Sequence, residues 1–224
     1  MIVETMTLEE IARQYMGDFP NFVAKRHYFQ PKFQSLVKRS TRFPVTAQYE
    51  YISHINKNRY LFCYTAFKRS DWKEPHANVV GIFDGEGGKH AIVSVNMKQG
   101  VIILTPHFFA RFRERILGGE DIHGDELIKR FFRKNQRMTI QPMSEQFARA
   151  YKKHEAEGAV SMAGRVAEGN VFFRVYNSNI ILCVTILSDE MLKDDQIEAF
   201  GELKDRYEEL KDVRMEGFKD DFCI

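Results

Sequence analysis

The sequence predicts an α+β protein, and three observations carry that prediction. Short β-branched and aromatic-rich runs recur through residues 59–104. Helical-period runs follow at 105–136, the first opened by Thr105-Pro106. Strand-like runs then return before residue 187 and give way to an acidic helical stretch. Strands in runs, broken by blocks of helix, are the pattern of segregated α and β structure.

The elements follow in chain order. TLEEIARQYM (7–16) reads as a short helix, with Thr7 and Glu10 forming a capping box and Leu8, Ile11 and Tyr15 at helical spacing. Residues 20–44 resist assignment, because three prolines interrupt interleaved basic and aromatic residues. VTAQYEYISHINK (45–57) fits strand or helix. RYLFCYTAF (59–67), NVVGIF (78–83), HAIVSVN (90–96) and VIIL (101–104) read as strands. DGEGG (84–88) reads as a hairpin turn; it lacks the following Lys-Ser/Thr that a phosphate loop needs.

Thr105 is a natural N-cap and Pro106 suits the first helical position, so a helix is expected from there to about Leu117, stopped by Gly118-Gly119. DELIKRFFRKNQ (125–136) is a second helix, striped by Leu127, Ile128, Phe131 and Phe132. SEQFARAYKKHE (144–155) looks helical, with Ser144 as its cap. AVSMAGRV (159–166), VFFRVY (171–176) and IILCVTIL (180–187) are strands, and residues 193–210 form an acidic helix.

The formal net charge is only +2, yet charge is unevenly spread. Residues 20–73 hold eleven Lys and Arg against Glu50 and Asp71. Residues 188–224 hold thirteen acids against six bases. Such asymmetry points to a polyanion partner, or to an acidic C-terminal helix packed on the basic N-terminal region and neutralising it. No apolar run reaches the roughly 18 residues that cross a bilayer, so no membrane association is expected, and the N-terminus lacks a secretory pattern. Three widely spaced cysteines, Cys63, Cys183 and Cys223, form no CxxC pair. They argue for a reducing, cytoplasmic setting, with no metal and no cofactor.

The stretch LTPHFFARFRERI (104–116) carries the chemistry. His107, Arg111 and Arg115 lie four apart on one drifting helical stripe, beside an apolar stripe of Phe108, Phe112 and Ile116. A neutral imidazole is a competent general base near pH 7. Guanidinium groups hold phosphate in two-point contact and stabilise developing oxyanions. In that scheme His107 takes the proton of an RNA 2′-hydroxyl while Arg111 and Arg115 hold the attacked phosphate. The competing reading is a solvated helix face.

The order strand, Thr-Pro-His helix, second helix and three closing strands resembles the small prokaryotic ribonuclease-toxin fold shared by barnase-, EndoU- and RelE-like proteins. The matching residues are His107, Arg111 and Arg115 in an H-x-x-x-R-x-x-x-R helix, and Val184, Thr185, Ile186 and Leu187 in the last strand. The similarity covers residues 101–187. It implies a twisted antiparallel sheet packed on helices, with RNA held against the sheet and first helix. Thr185 would face the cleft near His107, and Arg165 and Arg174 would be further RNA contacts. If Thr185 points into the cleft, Cys183 and Leu187 share its face while Leu182, Val184 and Ile186 go to the core. The chain departs from the family in its long N-terminal addition and in having no second histidine at an obvious strand position. His123 and His154 read as surface residues.

Residues 1–100 are therefore expected to be a basic, aromatic-rich region, either separate or part of the same sheet. Residues 101–224 would form the ribonuclease-toxin-like α+β domain with its acidic helix. The leading expectation is metal-independent cleavage or binding of RNA, with Lys25, Arg26, Lys38 and Arg39 on an RNA platform. The alternatives are a non-catalytic nucleic-acid-binding module and an intracellular interaction or scaffold protein, as a homodimer or with a protein partner.

Overall fold

In the computed structural model nine strands, counted among the described residues, join edge to edge in one open, mostly antiparallel sheet, with helices on both faces. The structure describes residues 1–96, 100–142, 145 and 162–210. The strands are β1 (Val45–Ile52), β2 (Arg59–Ala66), β3 (His76–Gly85), β4 (Gly88–Asn96), β5 (Gly100–Leu104), β6 (Thr139–Pro142), β7 (Met162–Val166), β8 (Gly169–Asn177) and β9 (Ile180–Leu187). Their order across the sheet is β1-β2-β3-β4-β5-β9-β8-β7-β6. The helices are α1 (Leu8–Gly17), α2 (Phe19–Arg39), α3 (Pro106–Arg115), α4 (Gly124–Lys134) and α5 (Asp194–Leu210). Among the described residues no helix is long and apolar enough to cross a membrane.

The α+β expectation holds, with one topological addition. β5 and β9 run parallel, Val101 opposite Ile180 through Leu104 opposite Cys183. Parallel neighbours need a long crossover, and here α3, α4 and β6–β8 supply it. That junction makes the strands of residues 45–104 and 139–187 one continuous sheet. The helical-looking segment 144–155 lies outside the described residues apart from Glu145.

The capping box of α1 is present: Thr7 Oγ1 accepts from the Glu10 amide at 3.3 Å and the Thr7 amide donates to Glu10 Oε2 at 2.8 Å. The stretch that resisted assignment is mostly α2, a helix of 21 residues. Phe22, Phe29, Phe33 and Val37 recur at helical spacing and are buried. Pro31 sits inside the helix without breaking it. The proline removes the amide that would bond to the His27 carbonyl, and both residues lie on the exposed side, where water can serve that carbonyl.

α1 and α2 cover one face of β1–β5 with an aromatic core that includes Tyr15, Phe33, Phe62 and Tyr64. α3 and α4 cover the opposite face. At their centre the Phe131 ring meets Phe108, Phe109, Phe112 and Phe132 edge-on, with centroids 5.1–6.1 Å apart, the geometry that ring quadrupoles favour. α5 packs over β7–β9 through Phe172, Leu187, Phe200 and Leu203.

That placement of α5 corrects one expectation. The described part of the acidic helix packs on β7–β9 rather than on α2; at its end the Leu210 carbonyl accepts from Arg137, whose guanidinium lies over the Phe67 ring of the basic segment. A second correction concerns β9. The register with β8 slips between Phe172–Thr185 and Phe173–Cys183, so Val184 is an extra, bulged residue. A bulge resets the alternation of faces. Cys183 and Ile186 thus share the α3/α4 core while Leu187 joins the α5 core, contrary to simple period-two counting.

Asp18, between α1 and α2, ties the helical layer to the β1–β2 turn. Its buried carboxylate accepts from Tyr60 Oη at 2.6 Å, Asn56 Nδ2 at 2.8 Å and Asn58 Nδ2 at 2.9 Å. Burial pushes its pKa up, but these hydrogen bonds together outweigh that push and hold the carboxyl below its ordinary value.

Candidate functional site

α3 starts as its sequence dictates. Thr105 caps it, its Oγ1 accepting from the Phe108 amide at 3.2 Å, and Pro106 takes the first helical position. The next residue, His107, is exposed. It borders an open hollow of about 860 Å³ between the start of α1, the β3–β4 hairpin, the mouth of α3 and the end of β8. His90, Tyr176, Glu4 and Glu86 share the rim, and Ile11, Phe83, Ile103 and Leu182 contribute apolar lining.

His90 is the second histidine that sequence reading missed. It lies on β4, outside the 101–187 window, opposite Phe83 across the hairpin. The two rings stack with centroids 5.1 Å apart and planes 14° from parallel. Its Nδ1 lies 3.1 Å from the Gly88 carbonyl. Burial holds its pKa below the ordinary histidine value, against the opposing pull of that carbonyl and Asp84. The neighbouring carboxylate of Glu9 raises the pKa of Tyr176. The cross-strand position of His90 beside the DGEGG turn was the available signal.

The arginines do not converge on this hollow. Arg111 Nη1 pairs with Glu114 Oε2 at 2.8 Å. Arg115 lies eight residues beyond His107, about 12 Å along the helix axis. Its Nη1 donates to Thr185 Oγ1 at 3.1 Å and to the Ile186 carbonyl at 3.2 Å. The structure thus brings Arg115 and Thr185 together in a half-buried clamp of α3 onto β9. Thr185 is 0% exposed and faces no cleft.

Arg165 is 7% exposed and forms a two-point ion pair with Asp189. Asp189 also accepts from Asn170 Nδ2 at 3.1 Å and pairs with Lys204 at 3.2 Å. This site anchors β7 to the turn before α5, so Arg165 is not displayed to a ligand. Arg174 is exposed on β8. His123 is exposed, as expected, and lies against Arg113; His154 lies outside the described residues. Among the described residues no three His, Cys, Asp or Glu side chains gather into a metal-binding group.

The N-terminal cations fare differently. α2 contains no Asp or Glu. Lys32, Lys38 and Arg39 are exposed on it and Lys25 is half-buried. No ion pair among the described residues uses any of these four; pairs of the N-terminal half include Arg59–Asp125, Lys129–Glu50, Lys89–Asp84 and Lys89–Asp125. Arg26 is half-buried, its Nε donating to Gln30 Oε1 at 3.2 Å. Aromatic rings stand among the cations. Lys32 Nζ lies 4.0 Å and Lys25 Nζ 5.3 Å from the ring centre of Tyr28, which is 55% exposed. Lys38 Nζ lies 3.9 Å from the ring centre of Trp72, on the turn after β2.

No protein-family model, curated protein or solved structure matches this chain. Its function therefore has to be argued from these two places, the hollow at His107 and the basic face of α2.

Proposed function

We propose that the protein binds RNA as a polyanion along the exposed face of α2. One observation carries this reading: α2 holds no acid, Lys25, Lys32 and Arg39 share one stripe of it with Lys38 about 100° round the helix, and none of the four is ion-paired among the described residues, while the described part of α5 packs on β7–β9. Sequestered charge would be paired charge. Cations left in water, interleaved with aromatic rings, release counterions when they meet a phosphate chain. The reading belongs to a cytoplasmic protein, since the described cysteines, Cys63 and Cys183, are buried free thiols and RNA is an intracellular ligand. Fluorescence anisotropy with a labelled RNA tests it directly: wild type binds with an affinity that falls as salt rises, and removal of the four cations abolishes most of that affinity.

A second reading, RNA cleavage, rests on His107 and His90 bordering one hollow with Tyr176. Two imidazoles in one hollow supply an acid and a base for 2′-hydroxyl attack on the adjacent phosphate, with no metal. The ribonuclease-toxin resemblance enters here through His107, without the arginines that accompany it in that family. On this reading His107→Ala and His90→Ala each lower cleavage of a labelled RNA at least ~100-fold, with the melting temperature nearly unchanged for the exposed His107. Full cleavage by both variants, or none by wild type, rejects catalysis and leaves binding untouched.

A further inference from the structure

We infer that the ligand on the α2 face is single-stranded, with its bases stacking on Tyr28 and Trp72. The inference rests on the RNA-binding reading and adds the form of the nucleic acid and the side chains that read it.

Cations alone do not distinguish one strand from two, because both carry phosphates. Aromatic rings at the surface do. In a duplex the base faces are already stacked on one another, whereas an unpaired strand offers each base face to an aromatic side chain. Of the two rings beside these cations Tyr28 is open to water, and Trp72 is reached by displacing Lys38. Tyr28 points away from the core from the middle of α2, flanked by Lys25 and Lys32. Trp72 is half-buried, against the α2 core on one side and beneath Lys38 on another.

The turn that carries Trp72 is fixed to α2 by polar contacts. Gln34 Nε2 and Gln30 Nε2 donate to the Lys73 carbonyl at 3.2 and 3.4 Å. Arg69 Nη2 donates to the Lys38 carbonyl at 3.2 Å. Asp71 Oδ2 accepts from the Phe67 and Lys68 amides at 2.9 and 3.1 Å. Tyr28 and Lys38 are ten residues apart, about 15 Å along the helix and about 80° round it, so a few extended nucleotides reach both by crossing α2 obliquely. Each ring already holds an ammonium near its face, the electrostatic preference of a π-system for a cation. A flexible lysine can exchange that contact for a neighbouring phosphate as a base arrives.

Trp72 is the only tryptophan in the chain, so its emission reports on this site without labelling. The experiment titrates the full chain with a short unstructured RNA, with the same RNA annealed to its complement, and with phosphatidylcholine vesicles containing phosphatidylserine. Trp72→Leu and Tyr28→Leu are compared with wild type by anisotropy. Quenching of Trp72 by the single strand but not the duplex is expected. Each variant is expected to lose about 10-fold affinity for the single strand and less than about 2-fold for the duplex. Equal binding of both RNAs with unchanged emission overturns the stacking inference and leaves polyanion binding standing. Binding of neither RNA overturns both. An emission shift with vesicles and none with RNA overturns the inference in favour of an anionic membrane surface.

Discussion

Exchanging Lys25, Lys32, Lys38 and Arg39 together for alanine is expected to weaken RNA binding on the order of 100-fold or more near 0.1 M salt. Each phosphate contact on a single strand contributes about 0.7 to the logarithmic salt slope. Four contacts therefore account for a slope near −3, and their loss should flatten the dependence by that amount. The folded state should hardly notice. Three of the four side chains are exposed and none takes part in an ion pair among the described residues. Surface changes of this kind usually shift stability by less than about 0.5 kcal/mol each. Lys25 is the exception to watch, since its ammonium lies 5.0 Å from the ring centre of buried Tyr51. Thermal denaturation of the variant should stay within a few degrees of wild type, which separates loss of binding from loss of fold.

Asp18→Ala is expected to cost about 3 kcal/mol, a large share of the roughly 5–15 kcal/mol that holds a domain together. The substitution leaves Tyr60 Oη, Asn56 Nδ2 and Asn58 Nδ2 without the acceptor they share. Asn58 also accepts from the Ile2 amide at 2.6 Å, so the N-terminal segment loosens with it. Asp18→Asn keeps the shape but turns one acceptor into a donor facing donors, and should recover only part of the loss. Urea midpoints measure both. The same site gives a pH signature. The folded-state pKa of Asp18 lies below its unfolded value, so its contribution is present above the unfolded pKa near 3.9. It is lost as pH falls through the folded value. Wild type should therefore lose more stability than Asp18→Asn on acidification below about pH 4. Because Asp18 fixes the junction that leads into α2, it also fixes where the basic face points.

Local chemistry made much of the fold readable in advance. The strand over residues 180–187 matches β9 end for end. Thr7 and Thr105 mark the starts of α1 and α3 by their hydroxyls. α2 was obscured because Pro20, Pro31 and a row of cations disguise the spacing of Phe22, Phe29, Phe33 and Val37; propensity argued against a helix that tertiary burial enforces. β1 was ambiguous because VTAQYEYI satisfies neither period cleanly, and its pairing with β2 settles it. β6 is four residues long and gives too short a pattern to notice.

The site was harder to read, because its geometry depends on contacts far apart in sequence. The spacing of His107, Arg111 and Arg115 is a true helical stripe, but spacing does not say what each residue meets. Arg115 finds Thr185 seventy residues away, and Arg165 finds Asp189. His90 reaches the His107 hollow only through the folding of the β3–β4 hairpin. Likewise, the sequence displays both charged poles, yet only the fold shows that the described part of α5 packs on β7–β9 and not on α2.

On the RNA-binding proposal the cationic side of α2 is an open electrostatic surface. The most direct test of that proposal is the affinity of the wild-type chain for a short single-stranded RNA measured across a salt series. A linear fall of log affinity with log salt, with a slope near −3 that nearly vanishes in the four-alanine variant, is the predicted result. No binding at low salt, or an affinity indifferent both to salt and to those four cations, would contradict it.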